Sequence, residues 1–90
     1  MTDAINDLET RRRRVMYRAE HRGTKELDLL LGRFAEAHLA AMSEVDLVAF
    51  EKFLTLPDPD IHHWLLTPGA ETPRGHAGEF VGRLKRFHGL

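Results

Sequence analysis

The stretch from Leu27 to His38 constrains this chain more than any other part of it. Leu27, Leu30, Leu31, Phe34, Ala35 and His38 recur at i, i+3, i+4, i+7, i+8 and i+11, the stride of one face of an α-helix. All but the last are apolar, so the helix must bury that face against other helices. Gly32 lies beside the stripe, where the missing side chain lets a neighbouring helix come close. No segment alternates with period two for long enough to suggest a sheet, and there are no internal repeats.

The remaining elements follow from the same reading. Residues 1–6 are polar and expected to fray. Asp7 is the expected cap of a first helix running to about Arg18 or Glu20, with Leu8, Val15 and Met16 turned inward. Gly23 falls where a helix end favours a residue tolerant of positive φ, and Thr24 can cap the helix that follows. Ser43 with Asp46 has the form of a capping box, opening a third helix that presents Leu47, Phe50, Phe53 and Leu54 and ends before Pro57. Asp58 reads as the cap of a fourth helix with Pro59 at its first position, and Asp60 adds favourable charge in the first turn. Ile61, Trp64 and Leu65 share a face of it, with Trp64 assigned to the core. Residues 67–78 carry two prolines and three glycines and read as a loop. A last helix is expected from about Gly78 to His88, with Phe80, Leu84 and Phe87 on one side. The expected fold is all-α, a small bundle of four to five short helices forming one domain over residues 1–90.

Size and composition narrow the function. Ninety residues support one compact core with a thin stability margin. With no cysteine there is no disulfide, thiolate nucleophile or thiolate metal site. No charged n-region leads into an apolar h-region, so no secretory signal is expected, and no apolar run approaches the roughly 20 residues of a membrane span. A soluble protein of a bacterial cytoplasm, not inserted in a membrane, is therefore expected. Residues 1–26 carry a balance of +2, concentrated in Arg11, Arg12, Arg13, Arg14, Arg18 and Arg22, and the rest a balance of −3.

Little in the chain asks for catalysis. The six histidines follow no metal-ligand spacing, so no metal site is assigned. The single serine, Ser43, is explained by capping, and the carboxylates are scattered over helix ends. No glycine-rich phosphate cradle follows a strand, so no stably bound cofactor is expected. Arg11 to Arg14 could neutralise phosphates, but consecutive helical residues point about 100° apart. Asp3, Asp7 and Glu9 also offset them. A nucleic-acid-binding regulator using Arg11 to Arg18 is kept as the alternative, and no nucleic acid is expected. The segment Arg22-Gly23-Thr24-Lys25-Glu26 is different. As an i,i+4 pair, Arg22 and Glu26 would contribute only about 0.2–0.5 kcal/mol, too little to explain both charges. A partner engaging them across a bare glycine is the stronger reason.

From Arg11 through Glu36, followed by Asp58-Pro59-Asp60 and Trp64, the sequence resembles the flavinylation assembly factor family of succinate dehydrogenase, whose hallmark is R-G-x-x-E. The likeness covers roughly residues 9–66. It implies a non-enzymatic assembly factor that promotes covalent attachment of FAD to the flavoprotein subunit of succinate dehydrogenase and, in some bacteria, of fumarate reductase. FAD then belongs to the client, with transient contact left open. Carried over by position, Arg22, Gly23 and Glu26 are the expected contact centre, with Arg18, His21 and Asp28 as neighbours, in a protein expected to be monomeric. Some members of the family are described as antitoxin-like partners of a membrane protein, which joins the regulatory alternative.

Overall fold

The structure, a computed structural model, describes residues 3–90, with side chains from Asp7 onward. Five α-helices follow one another: α1 (Asp3–Glu20), α2 (Lys25–His38), α3 (Glu44–Leu54), α4 (Asp58–Leu66) and α5 (Gly75–His88), with a single 3₁₀ turn at Leu39–Ala41. There is no strand among the described residues, so the molecule is the all-α bundle that the periodicity predicts.

The short link 21–24 makes α1 and α2 antiparallel neighbours along most of their lengths. Gly32 is buried at this seam, and a Cβ there would stand 3.2 Å from Glu20 Cγ, so the glycine does permit the close approach. The stripe of α2 divides as a 3.6-residue period should. Leu27, Leu31, Phe34 and Ala35 are buried, while Leu30 and His38 flank them half-buried. Helix α5 closes the core from the other side, packing on α2, α3 and α4.

Phe34, Phe50, Phe53 and Phe80 form the centre. Phe50 and Phe80 are 5.2 Å apart between ring centroids, Phe53 and Phe80 5.7 Å, and Phe34 and Phe50 5.8 Å. These separations favour tilted and edge-on aromatic contacts. The guanidinium of Arg83 lies 4.9 Å from the Phe80 ring centre and 5.6 Å from that of Phe34, covering the cluster at its solvent edge. The C-terminus of α5 is tied to α2 by His88, whose Nε2 is 2.7 Å from the Leu30 carbonyl oxygen. Gly89, at φ 70°, then ends α5 in the left-handed conformation.

Two helix caps stand where the sequence places them. Thr24 Oγ1 accepts from the Leu27 N–H at 3.3 Å, and Ser43 Oγ from the Asp46 N–H at 3.1 Å. Other local expectations are corrected. Helix α1 begins at Asp3, because no glycine or proline interrupts residues 3–7 and the helix propagates past Asp7. The expected frayed segment thus belongs to α1 from Asp3 on, and Met1 and Thr2 lie outside the described residues. Pro57 occupies the cap of α4, leaving Asp58 first and Pro59 second in the helix, where a missing N–H loses no intrahelical bond. Trp64 is half-buried against the core instead of inside it. Helix α5 starts at Gly75, before the expected Gly78, and Phe87 stands 43% exposed at the rim.

Candidate partner-binding site

At one end of the bundle the chain must reverse between α1 and α2 within four residues. Gly23 makes that reversal at φ 111°, a conformation that side-chain-bearing residues rarely adopt. The turn is secured on both sides. Before it, the Arg22 N–H donates to the Asp28 carboxylate. After it, Thr24 caps α2 with its hydroxyl, and its carbonyl accepts from the Asp28 N–H at 2.9 Å.

The Arg22 side chain turns back into the bundle. Its Nε donates to Asp58 Oδ1 at 3.0 Å, and Nη2 lies 2.9 Å from the same oxygen. Nη2 also donates to the Leu56 carbonyl at 3.0 Å, and Nη1 to the Leu54 carbonyl. The side chain is only 9% exposed and that of Asp58 27%. One planar guanidinium therefore joins the link after α1 to the carbonyls at the end of α3 and in the link beyond it, and to the first residue of α4. The outward display expected of Arg22 is corrected by this geometry. Its charge is matched within the chain, because removing an ion from water demands compensating bonds.

Glu26 behaves differently. Its side chain is 68% exposed, and His62 Nε2, on α4, lies 3.7 Å from its carboxylate. His21 is exposed, stacked on Tyr17 with ring centroids 4.0 Å apart, and its Nδ1 lies 2.8 Å from the Tyr17 carbonyl oxygen. Tyr17 itself is 63% exposed, and Arg18 lies exposed in the last turn of α1. Of the six residues singled out in the sequence, the structure brings Arg22, Gly23 and Asp28 together. It leaves Gly23, Glu26, His21 and Arg18 open to solvent and turns Arg22 inward.

Sequence reasoning missed Asp58, His62 and Tyr17 as parts of this end. Asp58 had a sufficient local explanation as a cap, and a pairing across 36 positions leaves no trace in local spacing. Tyr17 carried a signal, since tyrosine and histidine four residues apart share a helix face.

The arginine run is partly engaged inside the chain. Arg11 pairs with Glu51 at 2.6 Å, and this hydrogen bond raises the guanidinium pKa above its ordinary value. Arg12 donates to the Met42 carbonyl at 3.2 Å. Among the described residues, no three histidine, aspartate or glutamate side chains converge as metal ligands would, and no helix is long and apolar enough to cross a membrane.

These features define a class: a small all-α protein whose motif residues are organised around an exposed main-chain turn at one end of a helical bundle. A family model described as flavinator of succinate dehydrogenase matches residues 13–88, and the chain belongs to that family. It is 45% identical over 62 residues to the FAD assembly factor SdhE of Acetobacter pasteurianus, an overlap covering 69% of this chain and 57% of that protein. It is 37% identical over 88 residues to the mitochondrial succinate dehydrogenase assembly factor 2 of Dictyostelium discoideum, covering 98% of this chain and 61% of that one. The mitochondrial succinate dehydrogenase assembly factor 2 of Danio rerio is 35% identical over 82 residues, covering 89% of this chain and 51% of its own. The chain thus spans less than two thirds of the length of each of these relatives. No solved structure matches it.

Proposed function

We propose that this protein binds the flavoprotein subunit of succinate dehydrogenase and promotes covalent attachment of FAD to it. The observation that carries this reading is the family match over residues 13–88, which includes the turn at Gly23. The fumarate reductase flavoprotein is a second client of the same chemistry. The factor works by binding, as a monomer in the bacterial cytoplasm, and turns over no substrate of its own. FAD stays with the client, whose own groups form the flavin bond. Preferential affinity for the flavoprotein arrangement in which FAD and its acceptor side chain meet would raise the population of that arrangement.

Exposure of Gly23, Glu26, His21 and Arg18 supports placing the contact at this end of the bundle. Gly23 offers main chain without a Cβ, Glu26 an acceptor for a cationic group, and Arg18 a donor for an anionic one. The test is co-expression of the flavoprotein with and without this chain in cells lacking their own factor. Denaturing gels would then be viewed under ultraviolet light for protein-bound flavin. Fluorescence that depends on the chain is expected, and equal fluorescence without it would overturn the proposal.

A further inference from the structure

The side chain of the motif arginine is nine-tenths buried, yet it adjoins the exposed Gly23. Burying an ion pair is at best weakly stabilising, and apolar side chains of similar volume often serve as well. Stability alone is therefore a poor reason for Arg22 and Asp58 to face each other, and their placement suggests another. Arg22 is fixed twice, by its N–H on Asp28 and by its guanidinium on Asp58 and the Leu54 and Leu56 carbonyls. Thr24 is fixed by capping α2. Gly23 sits between these two anchored residues, and a Cβ built on it would lie 3.5 Å from Asp58 Oδ2. The carboxylate is thus directly behind the turn.

We propose that Arg22 and Asp58 are positioning residues, whose partly buried pair holds the Gly23 turn in the conformation a client protein reads without either side chain being the point of contact. This rests on the client reading given above. A turn anchored in the free protein loses less freedom when it docks, so the benefit is tighter binding through preorganisation. Asp58 thereby supports the docking site from behind, although it belongs to α4 and lies 36 positions from Arg22. The shape of the guanidinium matters as much as its charge. A lysine ammonium could pair with Asp58 but could not span Asp58 and two carbonyls with one planar fork.

The test uses full-length Asp58→Asn and Arg22→Lys proteins with the flavoprotein, titrating each factor against protein-bound flavin fluorescence. Both variants are expected to need about tenfold or more protein for half-maximal flavinylation, the loss that follows from one charge-assisted hydrogen bond. The plateau at saturation is expected to stay near that of the parent. Amide exchange at Arg22, Leu27 and Asp28, whose N–H groups bond to Asp28 and Thr24 around the turn, is expected to quicken in both, a readout that general destabilisation would spread over the helices. Ile61→Val, a core change on the same helix as Asp58, is the stability control. It should lower the melting temperature while leaving the half-maximal concentration in place. Unchanged half-maximal concentrations for both variants, or a matching rise in Ile61→Val, would overturn the positioning role. Should the parent itself fail to promote flavinylation, the client reading falls, while quickened exchange at the turn in the variants would still show that the pair holds it and unchanged exchange that it does not.

Discussion

Replacing Gly78 by alanine sets two physical rules against each other. Gly78 lies in the first turn of α5, where intrinsic propensity favours alanine over glycine by about 1 kcal/mol. The connection before α5 folds back over that turn, however. A Cβ on Gly78 would overlap the Pro73 carbonyl oxygen and stand 3.1 Å from Pro73 C and 3.3 Å from Thr72 Cγ2. The obstruction is main chain, so relief requires the connection to retreat or the first turn to unwind. Such overpacking costs about 1–3 kcal/mol, and a value near the top of that range outweighs the propensity gain by about 1–2 kcal/mol. For a domain of this size the melting temperature should fall by roughly 5–15 °C. Gly82, one turn further on, is the contrasting case. Its added Cβ would first meet the Arg86 guanidinium, with Nη1 at 3.2 Å, at the far end of a flexible side chain. Gly82→Ala should therefore stabilise by up to about 1 kcal/mol. Urea unfolding followed by circular dichroism measures both, with the shift in midpoint read at constant slope. A Gly78→Ala protein as stable as its parent, or a pair of variants shifting in the same direction, would refute the steric reasoning.

Gly23→Ala forces a side chain into the φ 111° turn, so a loss of about 1–3 kcal/mol in stability is expected in the same unfolding assay, together with weaker flavinylation of the client. Retained stability with an unaltered turn would contradict the strain. Phe34→Ala removes the ring that meets Phe50, Phe80 and Phe87 and should destabilise by about 3–5 kcal/mol, a large fraction of the total for a small domain. A midpoint shift corresponding to less than about 1 kcal/mol would show that the cluster closes over the gap.

What was legible in the sequence is what depends on neighbours along the chain. The α2 stripe follows from periodicity, and the caps at Thr24 and Ser43 from a hydroxyl placed just before a helical run. The positive φ of Gly23 could also be anticipated, because the chain must end one helix and start another there. What depends on distant partners could not be read. Asp58 satisfies a local capping rule, but Arg22 claims its carboxylate instead. Arg22 has no local feature that marks it for burial, since its carbonyl partners come from the end of α3 and the link beyond it. The start of α5 was hidden for a related reason. Gly75 and Gly78 lower helix propensity, and only the folded-back connection explains why glycine is needed at 78.

The aromatic interior and the Arg22 anchorage divide the molecule by kind of bonding. Among the described residues the buried set is wholly hydrophobic, so its attractions are short-ranged and indifferent to direction. Such an interior accepts swaps between side chains of like volume with modest loss. The opposite end relies on hydrogen bonds whose angles leave little latitude. Drift in sequence should therefore be easy through the body of the bundle and hard at the reversal, which lets a lineage remodel its oily middle while its point of attachment stays the same.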